Sequence, residues 1–109
     1  MKIIEFKKNQ HQFGTNVTVR RGTKWAAALL PMEDVLLVGV NMDGEQDSIP
    51  AYIRAIHICL LEDVPDALLQ LEHDPDCRKH EGLVRELARV YGEPMGLGEV
   101  VTVIEYIPL

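Results

Sequence analysis

The chain has 109 residues, 47% apolar and 26% charged, which is the composition of one folded domain and excludes a disordered or low-complexity chain. A net charge of −6 argues against a protein that coats nucleic acid indiscriminately, and no apolar run, Val35–Val40 included, exceeds six residues, far too short to cross a bilayer. The two cysteines, Cys59 and Cys77, make no disulfide framework. The charged start from Lys2 to Lys8 carries no secretory-type apolar stretch, so a cytoplasmic setting is expected.

In chain order, Lys2–Phe6 reads as a short strand and Asn9–Gly14 as a polar loop. Asn16-Val17-Thr18-Val19-Arg20 alternates strictly, so Val17 and Val19 share one face and Asn16, Thr18 and Arg20 the other. The first pair is expected in the core and the polar trio in solvent or a cleft. Gly22-Thr23 ends that strand, and Thr23 is placed to cap a short helix over 24–30 that buries Trp25, Ala28 and Leu29 and stops at Pro31. Val35–Val40 is apolar on both faces, as in a central strand, and Gly39 marks a bulge or close backbone approach. A turn on Asp43-Gly44 leads to a long strand over 51–61. Asp63 and Asp66 have capping-box spacing ahead of a helix over 67–71, which Asp74-Pro75-Asp76 breaks. Residues 80–91 form the clearest helix: Leu83, Val84, Leu87, Ala88 and Tyr91 make one apolar stripe, Glu81 and Arg85 stand four apart, and Gly92 ends it. Val100–Ile107 is the last strand. Five strands and three helices that do not alternate point to an α+β domain around a small mixed sheet or barrel.

The charge is unevenly spread. Residues 1–24 hold six basic residues against one acid, and residues 25–109 hold five against sixteen. A basic patch on an acidic body can still steer an anionic ligand, because the field in a cleft follows the nearest charges.

The stretch Val17-Thr18-Val19-Arg20-Arg21-Gly22-Thr23-Lys24-Trp25 resembles the ASCH family of the PUA-like superfamily. Asp34–Val38, Leu61–Val64, Glu81-Gly82 with the helix ending in Tyr91, and Val100–Tyr106 follow in the family's order. The resemblance implies one PUA-like mixed β-barrel over 1–109, of five or six strands with two or three helices, and a positively lined cleft beside the strand-to-helix turn at residues 16–25. It implies RNA or a modified nucleoside as ligand; Asn16, Thr18, Arg20, Arg21 and Lys24 are the residues expected to hold it, and no cofactor, metal or membrane partner is expected. Some family members deacetylate N-acetylated cytidine and others have been linked to RNA cleavage. The deacetylases use a Lys, a Thr and a Glu; the Thr matches Thr18 and the Glu is best matched by Glu81, while the Lys position holds Thr15. Lys24 is then the cation that could stand in.

Three functions follow as expectations. The first is a module binding RNA or a nucleotide in a basic cleft. The second is a hydrolase with Thr18, Glu81 and Lys24 as its catalytic residues. The third is a protein-interaction module using the acidic face. Each residue also has a plain structural use: Thr18 as a strand former, Arg20 and Arg21 as solvated charges, Trp25 as a core anchor. His73, Cys77 and His80 offer zinc-type ligands, but Pro75 breaks the helical register their spacing needs. The acidic loop at 41–47 has its glycine misplaced for calcium and Tyr52 at the twelfth position.

Overall fold

The computed structural model describes residues 1–109. The strands are β1 (Lys2–Lys8), β2 (Asn16–Arg21), β3 (Asp34–Val40), β4 (Gln46–Leu60) and β5 (Val100–Pro108). The helices are α1 (Lys24–Ala28), α2 (Asp66–Leu69) and α3 (His80–Tyr91), with short 3-10 turns at Leu61–Asp63 and Pro75–Cys77. The strands form one curled sheet, a half-barrel in the order β1-β3-β4-β5-β2. Only β1 and β3 run parallel; the other pairings are antiparallel, so the sheet is mixed.

Both faces of this sheet are covered. Val17, Val19, Val101 and Val103 meet Leu61, Val64, Leu69, Leu83 and Leu87 from the helices and turns. On the opposite face, Ile4, Val35, Leu37, Ile53, Ile104 and Tyr106 pack inside the curl with Leu29 from the end of α1. Strict alternation on β5 serves both cores, which is why Val101 to Tyr106 are buried without a break. No helix is long and apolar enough to cross a membrane.

The sheet has five strands, within the five or six expected, and its two outer strands are not paired with each other. Several local expectations are corrected. The first helix ends at Ala28, and Thr23 makes no side-chain cap. The Asp63–Asp66 capping box does not form: Asp63 ends a 3-10 turn, and α2 is a single turn entered from Pro65. Glu81 and Arg85 do not pair; the α3 ion pair is Arg89 with Glu86. The long strand starts at Gln46, upstream of Pro50, which is tolerated because β4 has only β3 as a strand neighbour until Ala51 meets Pro108. Gly39 is the expected close approach: a Cβ there would lie 2.8 Å from the Phe6 carbonyl oxygen and 3.0 Å from the Asn9 nitrogen.

Candidate functional site

The open seam between β1 and β2 is the mouth of a cleft of about 860 Å³. Glu5–Lys8 of β1 form one wall, and Thr18–Arg20 of β2 lie beside them. Residues 72–77 and the side chains of Leu83, Glu86, Leu87, Val90 and Tyr91 on α3 close the other side. The 72–77 segment is held there because Val17 takes backbone hydrogen bonds from it: Val17 N donates to the Leu71 carbonyl at 2.8 Å and His73 N donates to the Val17 carbonyl at 3.1 Å.

Arg20 spans the seam. Its Nε donates to Thr18 Oγ1 at 3.1 Å, and its Nη2 donates to the Glu5 carbonyl of β1 at 2.8 Å. The guanidinium carbon lies 4.9 Å from the Phe6 ring centroid and 5.7 Å from that of Trp25. No carboxylate forms an ion pair with it. Burial pulls its pKa below the ordinary guanidinium range, and the nearest acidic groups, Tyr91 and Glu72 foremost, only partly offset that.

The cleft floor holds a carboxyl and an imidazole in close contact. Glu72 is 2% exposed, and His73 Nε2 lies 3.0 Å from its Oε1. Burial pushes the Glu72 carboxyl up to about 8, against smaller opposing effects from the Asp74 N–H, Arg20 and Arg78. Burial likewise lowers His73 to about 4, helped by His11 and Arg20. Both shifts favour the uncharged forms of the two groups. His73 Nδ1 is the one buried side-chain polar atom without a hydrogen-bond partner. Phe6 packs edge-on against both His11 and His73, with centroids 4.8 Å apart in each case. His11 Nδ1 is 2.7 Å from the Tyr106 hydroxyl and its Nε2 is 2.6 Å from Asn9 Oδ1. The Asn9 oxygen can only accept, so Nε2 carries the proton and Nδ1 accepts from Tyr106. Burial holds His11 down near 4 and raises the Tyr106 phenol.

The residues singled out in the sequence are brought together only in part. Thr18 and Arg20 share the cleft. Asn16 is fully buried instead of facing a ligand: its Nδ2 donates to the Gln12 and Gly14 carbonyls at 2.8 and 3.2 Å, and its Oδ1 accepts from Gln12 N at 2.9 Å. It pins the 9–15 loop. Thr18 is 3% exposed, because its face of β2 is the one that Ile104 and Tyr106 share on β5 inside the curl, and Arg20 lies over its hydroxyl. Arg21 points away, paired with Glu93 at 2.5 Å and near Tyr91 and Glu99. Lys24 is exposed on α1 outside the cleft. Glu81 is exposed too, and lines a separate hollow with Asp66, Gln70, Arg78, Lys79 and His80. The cleft is also not uniformly basic, since Lys7, Lys8, Arg20 and Arg89 share it with Glu5, Glu72, Asp74, Asp76 and Glu86.

Sequence reasoning missed Glu72, His11 and Tyr106, and saw His73 only as a possible metal ligand. A buried glutamate one residue past a leucine-rich turn has no periodic signature, because only the parallel bridge to Val17 takes it inside. No group of three or more His, Cys, Asp or Glu side chains is arranged to hold a metal ion. Cys59 and Cys77 are free thiols, and burial raises Cys77 far from reactivity. On the same sheet face as Val103, the buried Glu105 carboxylate accepts from Arg54 Nη1 at 2.6 Å and meets His57 Nε2 on its other oxygen.

No family model matches the sequence, and no curated protein matches it either. Solved structures do resemble the fold. An ASCH domain from Lactobacillus crispatus JV V101 superposes with a TM-score of 0.55 at 15% identity, over 85% of this chain and 63% of that one. A DUF984 protein from Enterococcus faecalis V583 superposes with a TM-score of 0.61 at 10% identity, over 86% of this chain and 60% of its own. The chain thus spans less than two thirds of the length of either protein. Its curled five-stranded sheet with three helices has the fold of an ASCH-like domain.

Proposed function

We propose that the chain is a small ASCH-type domain that binds a nucleotide or RNA in the seam cleft, with Arg20 as the cationic anchor for its anionic group. One observation carries this reading. Arg20 is a half-buried guanidinium held by a hydroxyl, a carbonyl and two aromatic rings, with no carboxylate to neutralise it. A desolvated cation without a counter-charge is costly, and an incoming phosphate would satisfy it. Thr18 and the protonated Glu72 supply neutral hydrogen-bonding groups beside it, suited to the polar edge of a base or to a sugar hydroxyl. Lys24, Arg21 and Asn16 have no part in this form of the proposal.

The test uses the single tryptophan. Trp25 lies next to Arg20, so titration with nucleoside monophosphates and short RNAs should change its fluorescence, with affinity falling as salt rises. No response to any of these ligands in either low or physiological salt would refute the proposal.

The hydrolase reading survives in altered form. Glu81 and Lys24 do not converge with Thr18, but Glu72 is a buried carboxyl in the same cleft as Thr18. Slow turnover of acetylated cytidine that is lost in both Thr18→Ala and Glu72→Gln would favour it.

A further inference from the structure

We propose that Lys7 and Lys8 form a phosphate subsite at the mouth of the seam cleft, which gives a phosphorylated nucleoside the advantage over a free one; this rests on the nucleotide-binding reading of the same cleft. Consecutive side chains of a regular strand point to opposite faces, so only one of the two lysines would ordinarily reach a given cleft. Here β1 slips against β3: Glu5 pairs with Val38 and Lys8 with Val40, so two residues of β1, Phe6 and Lys7, stand opposite one of β3, Gly39. An extra residue of this kind re-aims side chains. Both Lys7 and Lys8 line the cleft.

The slip has a visible cause. Asn9 N donates to the Val40 carbonyl at 2.8 Å, and β1 closes onto Gly39 where any side chain would strike the Phe6 carbonyl. Both lysines are exposed, and neither makes an ion pair or a side-chain hydrogen bond. The far wall carries Asp74, Asp76 and Glu86, but Glu86 is engaged by Arg89 through two nitrogens, and Asp74 caps its own turn through Asp76 N at 3.0 Å. The β1 wall thus carries Lys7 and Lys8 with one acid, Glu5, and the far wall carries Asp74, Asp76 and Glu86 with Arg89. Two mobile ammonium groups on one wall suit the spread charge of a phosphate, with Arg20 deeper in for a second polar or anionic group. A mononucleotide's terminal phosphate and an RNA phosphodiester offer the same chemistry.

The experiment compares the four ribonucleosides, their 5′-monophosphates and a short RNA without a terminal phosphate, by calorimetric titration of the wild-type chain and of the double variant Lys7→Gln/Lys8→Gln. The monophosphates should bind about tenfold tighter than the nucleosides, and the double variant should lose most of that advantage, Arg20 supplying the remainder, while keeping its nucleoside affinity. If the RNA shares the lysine dependence, the phosphodiester is the natural group; if only the monophosphates do, it is the terminal phosphate. Equal wild-type affinity for nucleosides and monophosphates, or an advantage that persists undiminished in the double variant, overturns the subsite and leaves the nucleotide reading standing. Binding of none of the probes overturns both.

Discussion

Arg20 of β2 donates a hydrogen bond from Nη2 to the backbone carbonyl of Glu5 on β1, 2.8 Å away across the open seam of the sheet. The two outer strands of the half-barrel are thus joined by a side chain where a closed barrel would have a ladder. The same guanidinium fills the floor of the cleft, so the residue that ties the fold together is also the one left without a counter-charge.

Replacing Arg20 by Lys should separate these two roles. Lys keeps the charge but loses the planar fork that reaches Thr18 and Glu5 together. Monophosphate affinity should fall about tenfold or more while the far-ultraviolet circular dichroism stays unchanged, with a modest fall in the thermal midpoint. An unchanged affinity would remove Arg20 from the binding role.

Stability should peak near pH 6.5. Burial depresses His11 and His73 to about 4, so the stability they contribute is fully present above their ordinary value and is lost as pH falls through about 4. Glu72 runs the other way: raised to about 8, it contributes below about 4.5 and loses that contribution as pH rises through about 8. Between pH 4 and 6.5 two histidine protons outweigh one carboxyl proton and stability climbs; from 6.5 to 8 the carboxyl acts alone and stability falls, each proton being worth up to ~1.4 kcal/mol per pH unit. The thermal midpoint across pH 4 to 9 checks this. Glu72→Gln should flatten the alkaline limb and leave the acid limb in place.

Gly82→Ala should destabilise α3, opposite in sign to what helix propensity dictates. An alanine inside a helix normally gains about 1 kcal/mol over glycine. Here its Cβ would lie 2.0 Å from the Asp76 carbonyl oxygen, a backbone atom of the neighbouring 3-10 turn. The clash forces that turn off the helix, at a cost on the order of 1–3 kcal/mol. Urea unfolding should show a lower midpoint than wild type.

Tyr106→Phe should cost about 1–3 kcal/mol by leaving the His11 Nδ1 without its donor. The loss should appear first as faster amide exchange in the 9–15 loop, which His11 anchors to the sheet, whereas global unfolding of the whole domain at once would contradict this local role.

The sequence exposed the fold wherever one periodicity ruled. α3 was legible because Leu83 and Leu87 repeat at helical spacing and Gly92 adopts the left-handed φ of 69° that ends it. β2 and β5 were legible because their alternation persists in the sheet. The capping residues were not, since Thr23 and Asp63 compete with turn geometry that propensity does not encode. The site was legible only at Thr18 and Arg20, two residues apart on one strand face. Glu72 reaches the same cleft through a single bridge to Val17, more than fifty residues away, and local pattern carries no record of such a pairing. Nothing in the sequence sets Lys24 and Glu81 apart from the cleft residues, yet Lys24 is exposed on α1 and Glu81 lines a separate hollow beside α3.

The most direct measurement is an NMR titration of the isotope-labelled chain with each nucleoside monophosphate, followed through backbone amides and arginine side-chain resonances. Binding in the seam predicts saturable shifts concentrated at Thr18–Arg20, Glu72, His73 and the Arg20 Nε–H, with Lys24 and Glu81 unmoved. Shifts confined to α1 or to the hollow around Glu81, or none at millimolar ligand, would contradict it.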